Sequence, residues 1–159
     1  MGHLRYYLDG LVHFFVAHSR HGTHSPFVYR LVDEVIYARR RPGESRNKVK
    51  RLVARLIDRY QPGTVYTRES GTIPASSLDF VIVDGGALGT LGAEVEAIWP
   101  LIHPGSVLVL LDCHRTPGAK ALWQSIKARP EVTITVDLFQ VGLAFFRSGQ
   151  AKENFKIRY

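Results

Sequence analysis

What this sequence lacks narrows it first. Its 159 residues hold a single cysteine, Cys113, so no disulfide can form within the chain. That suits a reducing compartment, and the cytoplasm is the expected location. There is no run of the roughly 18 apolar residues a spanning helix needs, so a membrane is not an expected partner. Low-complexity tracts and internal repeats are absent, which excludes a repeat architecture. A glycine-rich signature with G-x-G-x-x-G or P-loop spacing is missing too, although the glycines of one stretch invite the comparison. The opening "MGHLRYYLDGLVHFFVAHSR" has one basic residue before a short, interrupted apolar stretch, contains Asp9, and lacks a small-residue cleavage site. It is expected to be mature structure and not a signal peptide.

What is present is ordinary in bulk and uneven in detail. The chain is 45% apolar and 22% charged, as expected of one globular domain, residues 1–159, with a core that needs no staples. Net charge is +7, with +8 in residues 1–68 and −1 in residues 69–159. The basic excess concentrates in residues 39–59, with Arg39, Arg40, Arg41, Arg46, Lys48, Lys50, Arg51, Arg55 and Arg59 against Glu44 and Asp58. Such a run is either a solvated helix face or a surface for nucleic-acid phosphates.

Hydrophobic spacing predicts helices over residues 4–18, 26–39 and 48–60, the second entered through Ser25-Pro26. Beyond residue 62 the texture changes. Strands are predicted at 64–67, 78–84, 106–112, 132–138 and 141–147, with helices at 94–102 and 117–128 between them. Strand, helix, strand, helix and then a hairpin predict a mostly parallel sheet with an antiparallel edge, residues 63–159, beneath helices in residues 1–62.

Three groups of residues invite chemistry. In "DFVIVDGGALGTLG" a buried strand ends at Asp84 and is followed by Gly85, Gly86, Gly89 and Gly92. Their spacing fits a strand-to-helix loop better than a phosphate cradle. Asp84 and Asp112 each end a predicted parallel strand, the end at which α/β sheets bind ligands. On neighbouring strands their carboxylates face one crevice, where they hold a divalent cation or poise a base, unless they merely cap the helices that follow. His114, two residues on, is a candidate acid/base partner. The histidines at 13, 18, 21 and 24 match no zinc-finger spacing, and capping or packing is expected of them.

Several stretches together resemble one family. "HGTHSPFVYRLV" resembles the N-terminal signature of a group of bacterial class I S-adenosylmethionine-dependent methyltransferases related to O-methyltransferases. "KVKRLVARLIDRYQPGTVYT" is similar to the helix and first strand opening their core. "LDFVIVDGG" and "SVLVLLDCHRT" resemble their fourth and fifth strands, and "VTITVDLFQVGLAFFRSGQAKENFKIRY" their C-terminal hairpin and tail. The resemblance implies a Rossmann-like fold trimmed to about five strands. Only ten residues separate Thr67 from Leu78, which leaves no room for the family's second and third strands. Thr67 stands where the family's first strand ends in an acidic residue, and Gly71 alone remains of its cofactor glycines. The family's "DGNH" ends here in Gly86-Ala87, and Leu111 replaces the first of its paired aspartates.

By resemblance, S-adenosylmethionine is the methyl donor, with Gly71, Asp84 and Gly85 on its side. Asp84, Asp112 and His114 serve a hydroxyl acceptor, and Asp84 and Asp112 take any divalent cation. The missing strands leave the first strand as an edge, through which the chain would pair with itself or with a full-length relative that completes the pocket. A non-catalytic partner role, or nucleic-acid binding through residues 39–59, are the alternatives.

Overall fold

A computed structural model describes residues 2–17, 25–86 and 91–159. His18, His21, His24 and Gly89 lie outside the described residues.

The first half builds helices. α1 (Gly2–Val16) is followed by α2 (Pro26–Leu31) and, later, α3 (Lys48–Tyr60). α3 starts where Asn47 Oδ1 accepts from the Lys50 amide at 3.0 Å, and it stops at Gln61, which adopts a left-handed φ of 44°. Ser25 does occupy the N-cap of α2, but its side chain makes no capping bond. The α-helix expected through residue 39 instead becomes a π-helical turn at Val32–Ile36 and then ends. Pro42 has no N–H to offer the Ala38 carbonyl, and the Arg55 guanidinium donates to the carbonyls of Val35, Ala38 and Arg39 at 2.8–2.9 Å, satisfying acceptors that the helix end leaves free.

The second half builds the sheet: β1 (Val65–Thr67), β2 (Leu78–Asp84), β3 (Ile102–Leu111), β4 (Ile134–Asp137), β5 (Val141–Phe145) and β6 (Glu153–Lys156). α4 (Leu91–Ile98) and α5 (Pro117–Ala128) lie between strands. Six strands replace the five expected. β6 was hidden because "ENFK" is polar, with alternate residues exposed. β3 begins four residues before the expected start. Pro104 and Gly105, read as a stop, form an irregularity inside it, with Gly105 at φ 112° and the register shifting opposite Leu78 and Phe80. Ser106 bridges this kink, its hydroxyl accepting from the His103 amide at 2.9 Å and donating to the Leu78 carbonyl at 2.7 Å.

The strand order is β1-β2-β3-β5-β4-β6. β1, β2 and β3 are parallel, β5 runs against both its neighbours, and β6 is parallel to β4. Only β5 is reversed, so the fold is α/β with a mixed, mostly parallel sheet. Period-two alternation sends side chains to two cores. On one face Phe80, Val107, Val109 and Leu143 meet Val28, Leu31, Leu52 and Leu56 from α2 and α3. On the other Val81, Val83, Leu108 and Leu110 meet Val95, Ile98, Trp123 and Ile126 from α4 and α5. Strands apolar on both faces are what a sheet sandwiched between helices requires. No helix among the described residues is long and apolar enough to cross a membrane.

α1 belongs to neither core. Its polar side faces the protein, and its apolar side faces solvent, the reverse of an ordinary amphipathic helix.

Candidate functional site

Because β2, β3 and β4 run the same way, their carboxyl ends share one edge of the sheet. Asp84 ends β2, Asp112 follows β3, and Asp137 ends β4. Three acidic residues therefore line the edge where ligands of α/β sheets bind.

Asp84 and Asp112 come together as the sequence suggested. β2 and β3 pair directly, with Asp84 opposite Leu111. Asp84 Oδ1 accepts from the Gly86 amide at 2.8 Å. Asp112 Oδ2 accepts from Arg115 Nη1 at 3.1 Å. Both oxygens stand 3.2 Å from the point a Gly86 Cβ would occupy, so Gly86 keeps the space between two carboxylates free of a side chain. Two clefts meet here. One, of about 380 Å³, is lined by the start of α3 (Asn47 to Lys50) with Asp112 and Gln140; the other, of about 310 Å³, by Thr67, Arg68 and Glu69. Asp84 and Leu111 line both. These volumes lie at the low end of small-molecule sites.

Gly85 has a different reason to be glycine. A Cβ there would lie 2.6 Å from the Leu111 carbonyl oxygen and 3.0 Å from Ala119 Cβ. The residue lets β2 turn beneath the start of α5, where Thr116 Oγ1 caps the Ala119 amide at 3.0 Å. Gly71, at φ 76°, closes the single turn after β1, whose Thr67 and Ser70 form a reciprocal capping box.

His114 is not with the aspartate pair. Asp112 takes a left-handed φ of 51°, and the turn carries His114 to Asp137, where its Nε2 lies 2.8 Å from Oδ2. Its ring stacks on Phe139 at 5.2 Å. Trp123 Nε1 donates to the same Oδ2 at 3.0 Å, and the Phe139 amide to Oδ1 at 3.0 Å. From α1, His13 Nε2 stands 3.1 Å from Oδ1. Asp137 is thus a buried carboxylate gripped by two histidines, an indole and a backbone amide. Burial alone would raise its pKa; hydrogen bonds from His114 and His13 outweigh that and hold it well below the usual carboxylate range. Sequence reasoning passed over Asp137 inside an apolar strand, although an acid amid "VTITVDL" is itself a signal that partners await it.

Cys113 Sγ, His114 and Asp137 place ligand-type atoms within 4.8 Å of one another, which raises a metal reading. The bonding is already complete without one. Burial pushes the Cys113 thiol up and keeps it protonated, and it donates to the Phe139 carbonyl at 3.3 Å. A metal would need the thiolate and would break the bonds that join His114 and Asp137.

The basic run is partly tied down. Arg59 pairs with Glu34, and Arg51 donates to the Ser45 carbonyl at 2.7 Å. Arg55 grips both oxygens of Glu44 at 2.6 and 2.7 Å. The Arg55 guanidinium, helped by the Arg41 amide, lowers Glu44 to about 2. A carboxylate with a depressed folded pKa contributes stability that is complete above its unfolded value, about 4.3, and lost as pH falls through the folded value. Carbon-detected titration of Glu44 is therefore expected to show a midpoint near 2, rising in Arg55→Lys, which cannot make the two-pronged contact. An ordinary midpoint in the native chain would overturn this assignment.

No protein-family model, curated protein or solved structure matches this chain significantly.

Proposed function

We propose that this chain is a methyltransferase-like domain in which Asp84 and Asp112 position a hydroxyl acceptor, with S-adenosylmethionine as donor. The observation that carries the reading is the convergence of the two carboxylates on Gly86, at the carboxyl ends of adjacent parallel strands and between two clefts. The open edge at β1 agrees with a sheet that has lost the family's second and third strands.

The residues present fit the donor only in part. Gly71, Asp84 and Gly85 stand on its expected side, but among the described residues no strand pairs with the outer edge of β1 to supply the acidic residue that would bind a ribose. The pocket is completed across β1 by another chain. S-adenosylmethionine, when bound, supplies the methyl group. The work of this chain is on the acceptor: Asp84, anchored by the Gly86 amide, orients a hydroxyl, and Asp112, tied to Arg115, completes the polar wall. Two carboxylates also suit a magnesium ion that keeps most of its waters. His114, fixed on Asp137, lies outside this wall.

Calorimetric titration with S-adenosylmethionine tests the reading. Weak but saturable heat and a small rise in melting temperature at millimolar cofactor are expected, because this chain supplies only part of the pocket. If neither occurs, methyl transfer by the chain alone is ruled out. The second reading then stands, a non-catalytic partner that offers the three-residue β1 edge to a related sheet.

A further inference from the structure

We infer that α1 is the dimerisation element of this protein, its outward apolar face packing on the same face of a second copy. Leu4, Leu8, Leu11 and Phe15 recur at the four-three-four spacing of a coiled-coil seam. Tyr7, Val12 and Phe14 flank the seam. All seven are between 54% and 72% exposed. Together they present on the order of 900 Å² of surface, close to the roughly 800 Å² that each partner contributes to a stable interface. An isolated soluble surface seldom leaves so large an apolar patch open.

The helix is held in this orientation from behind. Asp9 pairs with Lys120 at 2.9 Å, His13 meets Asp137, and Gly10 lies so close to Phe139 that a Cβ would stand 3.0 Å from its ring. The Ala17 carbonyl accepts from Arg158 Nε at 3.1 Å. These contacts account for the polar side of α1 and leave the seam rigidly presented. The seam is self-complementary, so one twofold axis satisfies both copies and closes the assembly. A lipid surface is a poorer occupant. Interfacial helices carry Lys and Arg along a solvent-facing polar side. Here the polar side is docked on the protein and includes Asp9, and Arg5 is the one Lys or Arg within α1.

Sedimentation of the full chain tests this, with Leu8→Asp/Leu11→Asp as the variant. Both positions are exposed, so the fold should survive, which circular dichroism checks. The native chain is expected at twice its 17.9 kDa mass, and the variant as a monomer, its dissociation constant raised at least about 100-fold. A native monomer overturns the inference. So does a dimer that the variant leaves intact, which would place the interface elsewhere, for instance on β1. A monomer that floats with phosphatidylcholine–phosphatidylglycerol vesicles, and stops doing so in the variant, assigns the seam to lipid and overturns it equally. The inference does not depend on methyl transfer: the cofactor titration can fail while the dimer stands.

Discussion

Asp137→Ala is expected to destabilise the protein by about 3–5 kcal/mol, the loss measured when one partner of a buried charged network is removed. The residue is 2% exposed and joins α1, α5 and the loops after β3 and β4. Its removal leaves the Trp123 indole N–H and the Phe139 amide buried without an acceptor, and takes from both histidines the carboxylate they bond. For a chain of this size that corresponds to a fall in melting temperature of about 10 °C. Asp9→Asn is the control. Its ion pair with Lys120 is well over one-third exposed at the lysine, and exposed pairs contribute under about 1 kcal/mol. Urea titration of the two variants decides the matter, and equal losses would refute the central role of Asp137. Acid sharpens the test. Because the folded carboxyl is held low, its contribution is complete above about pH 4 and declines only as pH falls further. The native chain should therefore lose stability more steeply than the variant on acidification below that point.

Gly85→Ala is expected to cost about 3 kcal/mol, the upper range for overpacking, whereas Gly86→Ala should cost under about 1 kcal/mol. The two glycines are neighbours with opposite surroundings. At Gly85 the new methyl meets a backbone oxygen at 2.6 Å, and β3, packed in both cores, and α5, packed in one, cannot retreat freely. At Gly86 it meets carboxylate oxygens at 3.2 Å, on side chains that can rotate away. The functional consequences should invert. Gly86→Ala fills the gap between Asp84 and Asp112 and should abolish any acceptor binding there while the melting curve barely moves. Thermal melts of the two variants, read beside ligand titrations, separate these outcomes. A Gly86→Ala chain that melts as early as Gly85→Ala would refute the distinction.

The sequence was legible wherever a period or a run end governed the structure. The spacing of Val49, Leu52, Val53, Leu56 and Ile57 placed α3 to the residue, and two apolar runs ending in aspartate placed Asp84 and Asp112 on one edge. It was illegible where a distant partner decided. The carbonyls left free where the π-turn at Val32–Ile36 ends are met by Arg55, about twenty positions later. β6 is strand only because β4 offers it an edge, since "ENFK" has no strand pattern of its own. His114 followed Asp112 in sequence but not in space, because Asp112 itself is left-handed and turns the chain toward Asp137. The orientation of α1 was hidden for the same reason: its apolar stripe was plain, but His13 and Asp9 chose which side docks.

The bonds that seat α1 span much of the chain. His13 to Asp137 crosses 124 positions, and Arg158 to the Ala17 carbonyl crosses 141. The Tyr37 hydroxyl reaches the Arg158 carbonyl, and Tyr159 reaches back to the Lys48 carbonyl. During synthesis, at about 5–20 residues per second, residue 158 follows residue 17 by roughly 7–28 s. Throughout that interval α1 lacks the Arg158 contact, and for most of it lacks Lys120 and Asp137 as well. The contact between Arg158 and the Ala17 carbonyl that seats the end of α1 is therefore among the last that residues 2–159 can close.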